Sequence, residues 1–333
     1  MATVAQTHDP LEGFTGRWGP WLQALFWLVC LICVAGYPFV FSDGASTTVA
    51  FYTLVFAATG VAWNLFSGFT GYIALGHAVF FGVGQYALAI ICARLKVPGG
   101  FQPFEYVPLV GLVAAAFAIP LGLIALRTRR HTFIVITIAF VFIFQLLAEN
   151  NIFGLTKGQG GLEYPIPLAW HGASYNIPFY YAMVIILILV VAVAWLVRHS
   201  KYGLELLAIR DDEDRALGLG VRTTLLKLSA FTISGFFVGM AGAVYGYFQL
   251  SVYPAAGQAT GFSPLFDVLV ALMAFLGGLG TISGPLLGAL LIEPAYLQLN
   301  IYFGDTGWNL VLYGAGFLVV ILLLPQGIVP AVS

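Results

Sequence analysis

Ten apolar runs, each bounded by polar residues or by Gly and Pro, constrain this chain more than any other feature. They lie near Trp21–Phe41, Ser46–Phe66, Tyr72–Ala93, Glu105–Leu126, Thr132–Phe153, Ile177–Val197, Leu228–Leu250, Pro264–Leu279, Ser283–Leu299 and Trp308–Leu324. A run of about 20 apolar residues is the length of a membrane-crossing helix. Charged residues make up 8% of the chain, against roughly 25% in a soluble domain, so there are too few polar groups to cover a water-facing surface. The expected fold is an all-α integral membrane protein with about ten spans (8–10). The eighth and ninth runs are short and joined by glycines, the pattern of a re-entrant pair. Residues 1–20 then form an aqueous tail, 21–325 the transmembrane domain and 326–333 a second tail.

Charge is distributed very unevenly. Of 27 charged residues, 11 fall within the thirty positions from Arg198 to Lys227. A segment this polar belongs in water beside the membrane, because an unpaired charge in hydrocarbon is costly. Its middle, Asp211–Gly220, is a polar turn followed by a short Ala/Leu/Gly run, suited to one brief exposed helix. Two readings stand: a solvated loop between spans, or an element that another protein grips. Alternating ten spans from a cytoplasmic start puts ten basic residues inside (Arg17, Arg127, Arg129, Arg130 and six from Arg198 to Lys227). Arg94, Lys96 and Lys157 fall outside. That asymmetry predicts both termini and the 198–227 segment in the cytoplasm. The largest outside segment is Gly154–Asn176.

No catalytic constellation is visible. The chain has no Gly-Lys pair, hence no Walker-type phosphate loop. Gly82–Ala87 (GVGQYA) spells a dinucleotide pattern, yet it lies within an apolar run with no strand before it. The five histidines show neither i, i+4 pairing nor a nearby carboxylate cluster, so no metal site is expected. Cys30, Cys33 and Cys92 all sit in apolar runs and read as free thiols. Residues 1–20 lack the pattern of a cleaved signal, and no basic cluster suggests nucleic acid.

Glycine spacing and two ionisable residues say more. Gly235, Gly239, Gly242 and Gly246 share one helix face, and Gly280, Gly284 and Gly288 repeat at four; such faces allow close helix packing. Gly76, Pro285 and Pro294 are the candidates for broken helices lining a path. His77 and Glu293 lie deep in apolar runs, as substrate-path residues or as paired structural groups.

Five stretches together resemble one family. They are Gly71–Ala87 (GYIALGHAVFFGVGQYA), Leu155–Leu162 (LTKGQGGL), Ala208–Gly246 (including AIRDDE, ALGLGV, KLSAF and GMAGAVYG), Gly277–Gly288 (GGLGTISGPLLG) and Pro325–Ile328 (PQGI). In this order they resemble the membrane permease of branched-chain amino-acid-type ABC importers, the subunit with the longer N-terminal region. The resemblance implies a bacterial inner-membrane permease that pairs with a homologous permease as a heterodimer. It also implies two cytoplasmic ATPases, which bind ATP and magnesium, and a periplasmic or extracellular solute-binding protein. This chain would be a transport subunit, not an enzyme, with no cofactor of its own. By the same resemblance Asp212, Glu213, Asp214, Arg215, Ala216, Leu217, Gly218 and Leu219 form the helix that docks on an ATPase. DDEDR between AIR and ALG, and Lys157 and Gln159, depart from the commoner pattern. They leave the solute open among a branched-chain amino acid, urea, an amide, a polar or aromatic acid, or another small organic molecule. The competing reading is an ion-coupled secondary transporter using Glu293 and His77 near the midplane.

Overall fold

The structure, a computed structural model, describes residues 34, 36–41, 43–168, 170, 175–254, 261–303, 308, 311, 314–315 and 327–329. The N-terminal tail, Cys30, Cys33 and most of the first and tenth predicted spans lie outside the described residues.

The other eight predicted spans each have a helical counterpart. Helix α1 is Gly44–Thr70, α2 is His77–Leu95, and the short α3 (Gln102–Glu105) leads into α4 (Val107–Ala125) and α5 (Arg130–Glu149). After a long excursion, α6 (Asn176–Arg198) is followed by α7 (Lys201–Asp211), α8 (Glu213–Gly218) and α9 (Thr223–Gln249). Helices α10 (Pro264–Gly277) and α11 (Ser283–Phe303) close the described bundle. Among the described residues six helices are long and apolar enough to cross a membrane: α1, α2, α4, α5, α6 and α9. Between α5 and α6 the strand β1 (Leu162–Glu163) pairs antiparallel with β2 (Ser251–Val252), a small exception to the all-helical expectation.

Burial sorts these helices into two rings. The most apolar stretches of α1, α2 and α9 are 78, 67 and 72% buried, whereas those of α4, α5 and α6 are 33, 22 and 33% buried. The inner three are therefore surrounded by protein, and the outer three present apolar faces suited to lipid. Helix α9 is central, packing on α2, α4 and α1, while α1 reaches α6 and α11. Small residues permit this. A Cβ on Gly239 would collide with Ala114 of α4, and one on Gly84 would enter the backbone of Gly239. Gly235 abuts Ala118 and Phe80, Gly242 the backbone of Phe81, and Gly246 Tyr164 and Gln85. The GVGQYA stretch is thus helix-packing surface inside α2.

Three expectations need correction. The third span does not begin at Tyr72: Gly71–Gly76 is non-helical, and α2 starts at His77, beside Ser234 halfway along α9. Apolar Tyr72–Leu75 reads as helix by composition, but Gly71 adopts the left-handed conformation that ends α1 (φ 72°). Gly280 is not on a helix face with Gly284 and Gly288. It occupies the α10–α11 turn at φ 82°, while Gly284 and Gly288 pack against the backbones of Gly277, Gly278 and Met273. Neither Pro285 nor Pro294 breaks α11, which runs unbroken from Ser283 to Phe303. Pro285 sits in its first turn, where a missing N–H costs nothing.

Asn64, buried on α1, holds the α10–α11 turn. Its Oδ1 accepts from Gly280 N–H at 2.8 Å and its Nδ2 donates to Thr281 C=O at 2.8 Å. Asn64→Leu leaves two buried backbone groups without partners, each costing about 1–3 kcal/mol. A marked drop in the thermal unfolding midpoint in detergent is expected. Gly239→Val forces α9 away from α2 and α4, and overpacking of this kind costs about 1–3 kcal/mol in the same assay.

Candidate functional site

The charged segment 198–227 folds as two helices, not as a loop with one. Ser200 caps α7 by accepting from Gly203 N–H at 3.2 Å. Asp212, extended in backbone, caps α8 by accepting from Arg215 N–H at 3.0 Å. Helix α8 ends at Gly218, with Leu219 as its C-cap. The two helices meet at an elbow at Asp212.

The elbow is held from four directions. The carboxylate of Glu213 receives Lys227 Nζ from the start of α9 at 2.5 Å and the Tyr72 hydroxyl at 2.5 Å. Lys227 is buried, donates to the Tyr72 hydroxyl at 3.2 Å and stands 4.3 Å from the centre of the Tyr72 ring, a cation–π contact. Arg130, at the start of α5, donates to the carbonyls of Ile209 and Arg210 at 3.1 and 2.8 Å, answering the C-terminal end of α7. Arg210 donates to Gly68 C=O near the end of α1 at 3.0 Å, and Arg198 to Gly280 C=O at 2.6 Å. Burial pushes the Glu213 carboxyl up, but hydrogen bonds from Lys227 and Tyr72, aided by the Lys227 charge, hold it below the ordinary glutamate range.

The opposite face of α8 is open. Leu217 is 59% and Leu219 86% exposed, and nothing lies within 4 Å of a Cβ built on Gly218. Asp214 is also exposed, and Asp212 pairs with Arg215 on the surface. Ala216 corrects the sequence reading: it is 2% exposed and turned inward, so it is no part of an outward tip. Spacing alone shows which residues are small, not which way a six-residue helix is rolled.

Deep in the bundle, Gly76 precedes α2 and packs on Thr137. His77 bonds Ser234 on α9 at 2.7 Å and is enclosed by Phe66, Phe80 and Phe231. Sequence reasoning missed Asp267 beside them. This buried α10 carboxyl accepts from Ala78 N–H at 3.0 Å, so a side-chain acceptor faces the first turn of α2, where backbone N–H groups lack helical partners. A lone Asp three residues after Pro264 resembles an ordinary first-turn acid, which hid it. Glu293 is buried elsewhere, within electrostatic range of Tyr52, Tyr245 and Tyr296. Among the described residues His77 Nδ1, Asp267 Oδ2 and Glu293 Oε2 have no hydrogen-bond partner. Among the described residues no group of His, Cys, Asp or Glu is arranged to hold a metal.

Known proteins match along this architecture. The high-affinity branched-chain amino acid transport system permease protein LivM of Salmonella typhimurium is 27% identical over 92% of this chain and 75% of its own length. LivM of Escherichia coli K12 is 26% identical over the same shares. The fructose import permease protein FrcC of Rhizobium meliloti is 31% identical over 42% of this chain and 39% of its own. No solved structure matches the chain. The family model described as branched-chain amino acid transport system, permease component, matches residues 45–321, from the first turn of α1 past the end of α11, and the chain belongs to that family.

Proposed function

We propose that this chain is one of two homologous permease subunits of an ATP-binding-cassette importer and forms half of the path for a branched-chain amino acid or a related small polar solute. The outer face of α8 docks a cytoplasmic ATPase subunit; two such subunits bind ATP and magnesium and supply the energy. A solute-binding protein delivers cargo at the opposite end, where Tyr247 ties to Gly100 and Tyr175 to Phe248. The chain itself is a transport subunit, not an enzyme.

The observation that carries this reading is the two-sided character of α8. Its exposed side offers Leu217 and Leu219 to a partner, and its root is tied through Glu213, Lys227 and Arg130 to α9 and α5. A load applied at the leucines thus reaches several long helices at once. The same end collects Arg127, Arg129, Arg130 and the basic residues from Arg198 to Lys227, which favours a cytoplasmic orientation. For the solute, relatives named for branched-chain amino acid transport align over 92% of the chain, and the fructose permease over 42%. Ion coupling through His77 and Glu293 as a pair is disfavoured, since one bonds Ser234 and the other faces tyrosines.

Replacing both Leu217 and Leu219 by Asp is expected to reduce copurification of the ATPase tenfold or more, because two unpaired carboxylates would be buried in the contact and about 1.4 kcal/mol suffices for a tenfold loss. The unfolding midpoint of the permease stays unchanged. Ala216→Trp has the contrary signature, lowering the midpoint. Unchanged copurification in the Asp variant refutes the docking role.

The depressed Glu213 carboxyl gives a pH test. A folded-state pKa below the unfolded one contributes stability at pH above the unfolded value, and that contribution is lost as pH falls through the folded value. Amide hydrogen exchange across 212–219 is expected to accelerate, relative to the rest of the chain, on acidification through that window. In Glu213→Gln this pH dependence disappears.

A further inference from the structure

Beside the elbow, an open groove of about 730 Å³ runs along the outside of the bundle. Its floor and walls are Ile119 of α4 and the α9 residues Leu225, Leu226, Leu228 and Ile233; Ser229 and Thr232 also line it. Both hydroxyls are already engaged, donating to the carbonyls of Leu226 and Leu228 at 3.0 and 2.8 Å, and that of Ser229 also meets the Tyr202 hydroxyl at 2.7 Å. The body of the groove therefore offers nothing to a polar solute. From Leu225 to Ile233 it climbs about 12 Å along α9 at 1.5 Å per residue, into the depth that hydrocarbon occupies.

The mouth differs. Arg222 and Glu205 line the same groove, both are exposed, and neither makes an ion pair among the described residues. They stand at the water end of α9 and on α7. An apolar channel with one free cation and one free anion at its entrance matches a zwitterionic amphiphile.

We propose that this groove binds a phospholipid with a primary-amine headgroup, of the phosphatidylethanolamine type. One acyl chain lies along Leu225–Ile233 against Ile119, the phosphate meets the Arg222 guanidinium, and the ammonium meets the Glu205 carboxylate. Charge-assisted hydrogen bonds of both signs select this headgroup. Phosphatidylglycerol satisfies Arg222 through the same phosphate but offers Glu205 only neutral glycerol hydroxyls, without the opposite charge. Phosphatidylcholine has no N–H to give Glu205. A soluble protein fits the groove poorly, since its long axis follows the side of a span rather than the end of the bundle.

The test is native mass spectrometry of the full-length chain in mild detergent, with phosphatidylethanolamine, phosphatidylcholine or phosphatidylglycerol supplied in turn. The expected result is one tightly retained phosphatidylethanolamine and weaker retention of the other two. Arg222→Ala and Glu205→Gln each lower occupancy about tenfold, in keeping with the loss of one hydrogen bond to a charged group. Glu205→Gln in addition narrows the gap between phosphatidylethanolamine and phosphatidylglycerol. Leu225→Trp fills the groove and abolishes retention; should it fail to fold, the two exposed charge variants decide. Equal occupancy in wild type, Arg222→Ala and Glu205→Gln overturns the proposal. So does equal retention of all three lipids by wild type, or cross-linking of a Leu225→Cys variant to another protein subunit in place of lipid.

Discussion

Inside hydrocarbon a backbone N–H or C=O that leaves a helix has no water to turn to, so protein groups must answer it. Much of this structure's polar inventory is spent on that requirement. Between α1 and α2, Tyr72 N–H donates to Thr70 Oγ1, Ala74 N–H to Ser67 Oγ and Leu75 N–H to Thr137 Oγ1. The carbonyl of Ala74 receives Trp63 Nε1–H at 2.8 Å. At the α10–α11 turn, Asn64 and Arg198 do the same work. The breaks in the helical pattern are therefore specific bonded joints. Each joins helices distant in sequence, and together they fix how the inner ring is assembled.

The α7–α8 elbow is built on the same logic, with charges in place of hydroxyls and amides. Arg130, Arg198 and Arg210 all spend guanidinium donors on carbonyls at helix ends or turns. Glu213 and Lys227 form the one acid–base pair described here in which an amine is almost fully buried. Truncating one member of such a pair costs far more than the intact pair contributes, because a buried charge is left alone. The elbow consequently behaves as a stiff corner. Its exposed leucines are the exception, apolar groups held in water by a helix too short to hide them.

Much of this was legible in the sequence. Apolar run length located eight of the described helices, and the charge cluster marked the elbow, because hydrophobicity and charge act over whole segments. What escaped depends on direction and on distant partners. The apolar residues Tyr72–Leu75 gave no warning that α2 begins at mid-depth, since that depends on Ser67, Trp63 and Thr137 supplying bonds from other helices. Asp267 was hidden for the same reason: its partner is an N-terminus nearly two hundred positions away. Ala216 was named correctly as a small apolar residue, yet the roll of α8, set by Glu213 gripping Lys227, turns it inward. Gly280 fell on a regular spacing by coincidence, its φ serving a turn.

The carboxyl of Asp267 also bears on how the bundle can move. A helix that starts within the membrane exposes several unanswered N–H groups, and sliding α2 past α10 would strip them of their acceptor. Helices α2 and α10 are thereby bound to travel as one piece, and with them Ser234's neighbourhood on α9 through His77. Any opening of a passage must fall at a seam outside this trio. The outer helix α5, with its sparse protein contacts, is where the fold leaves such a seam free.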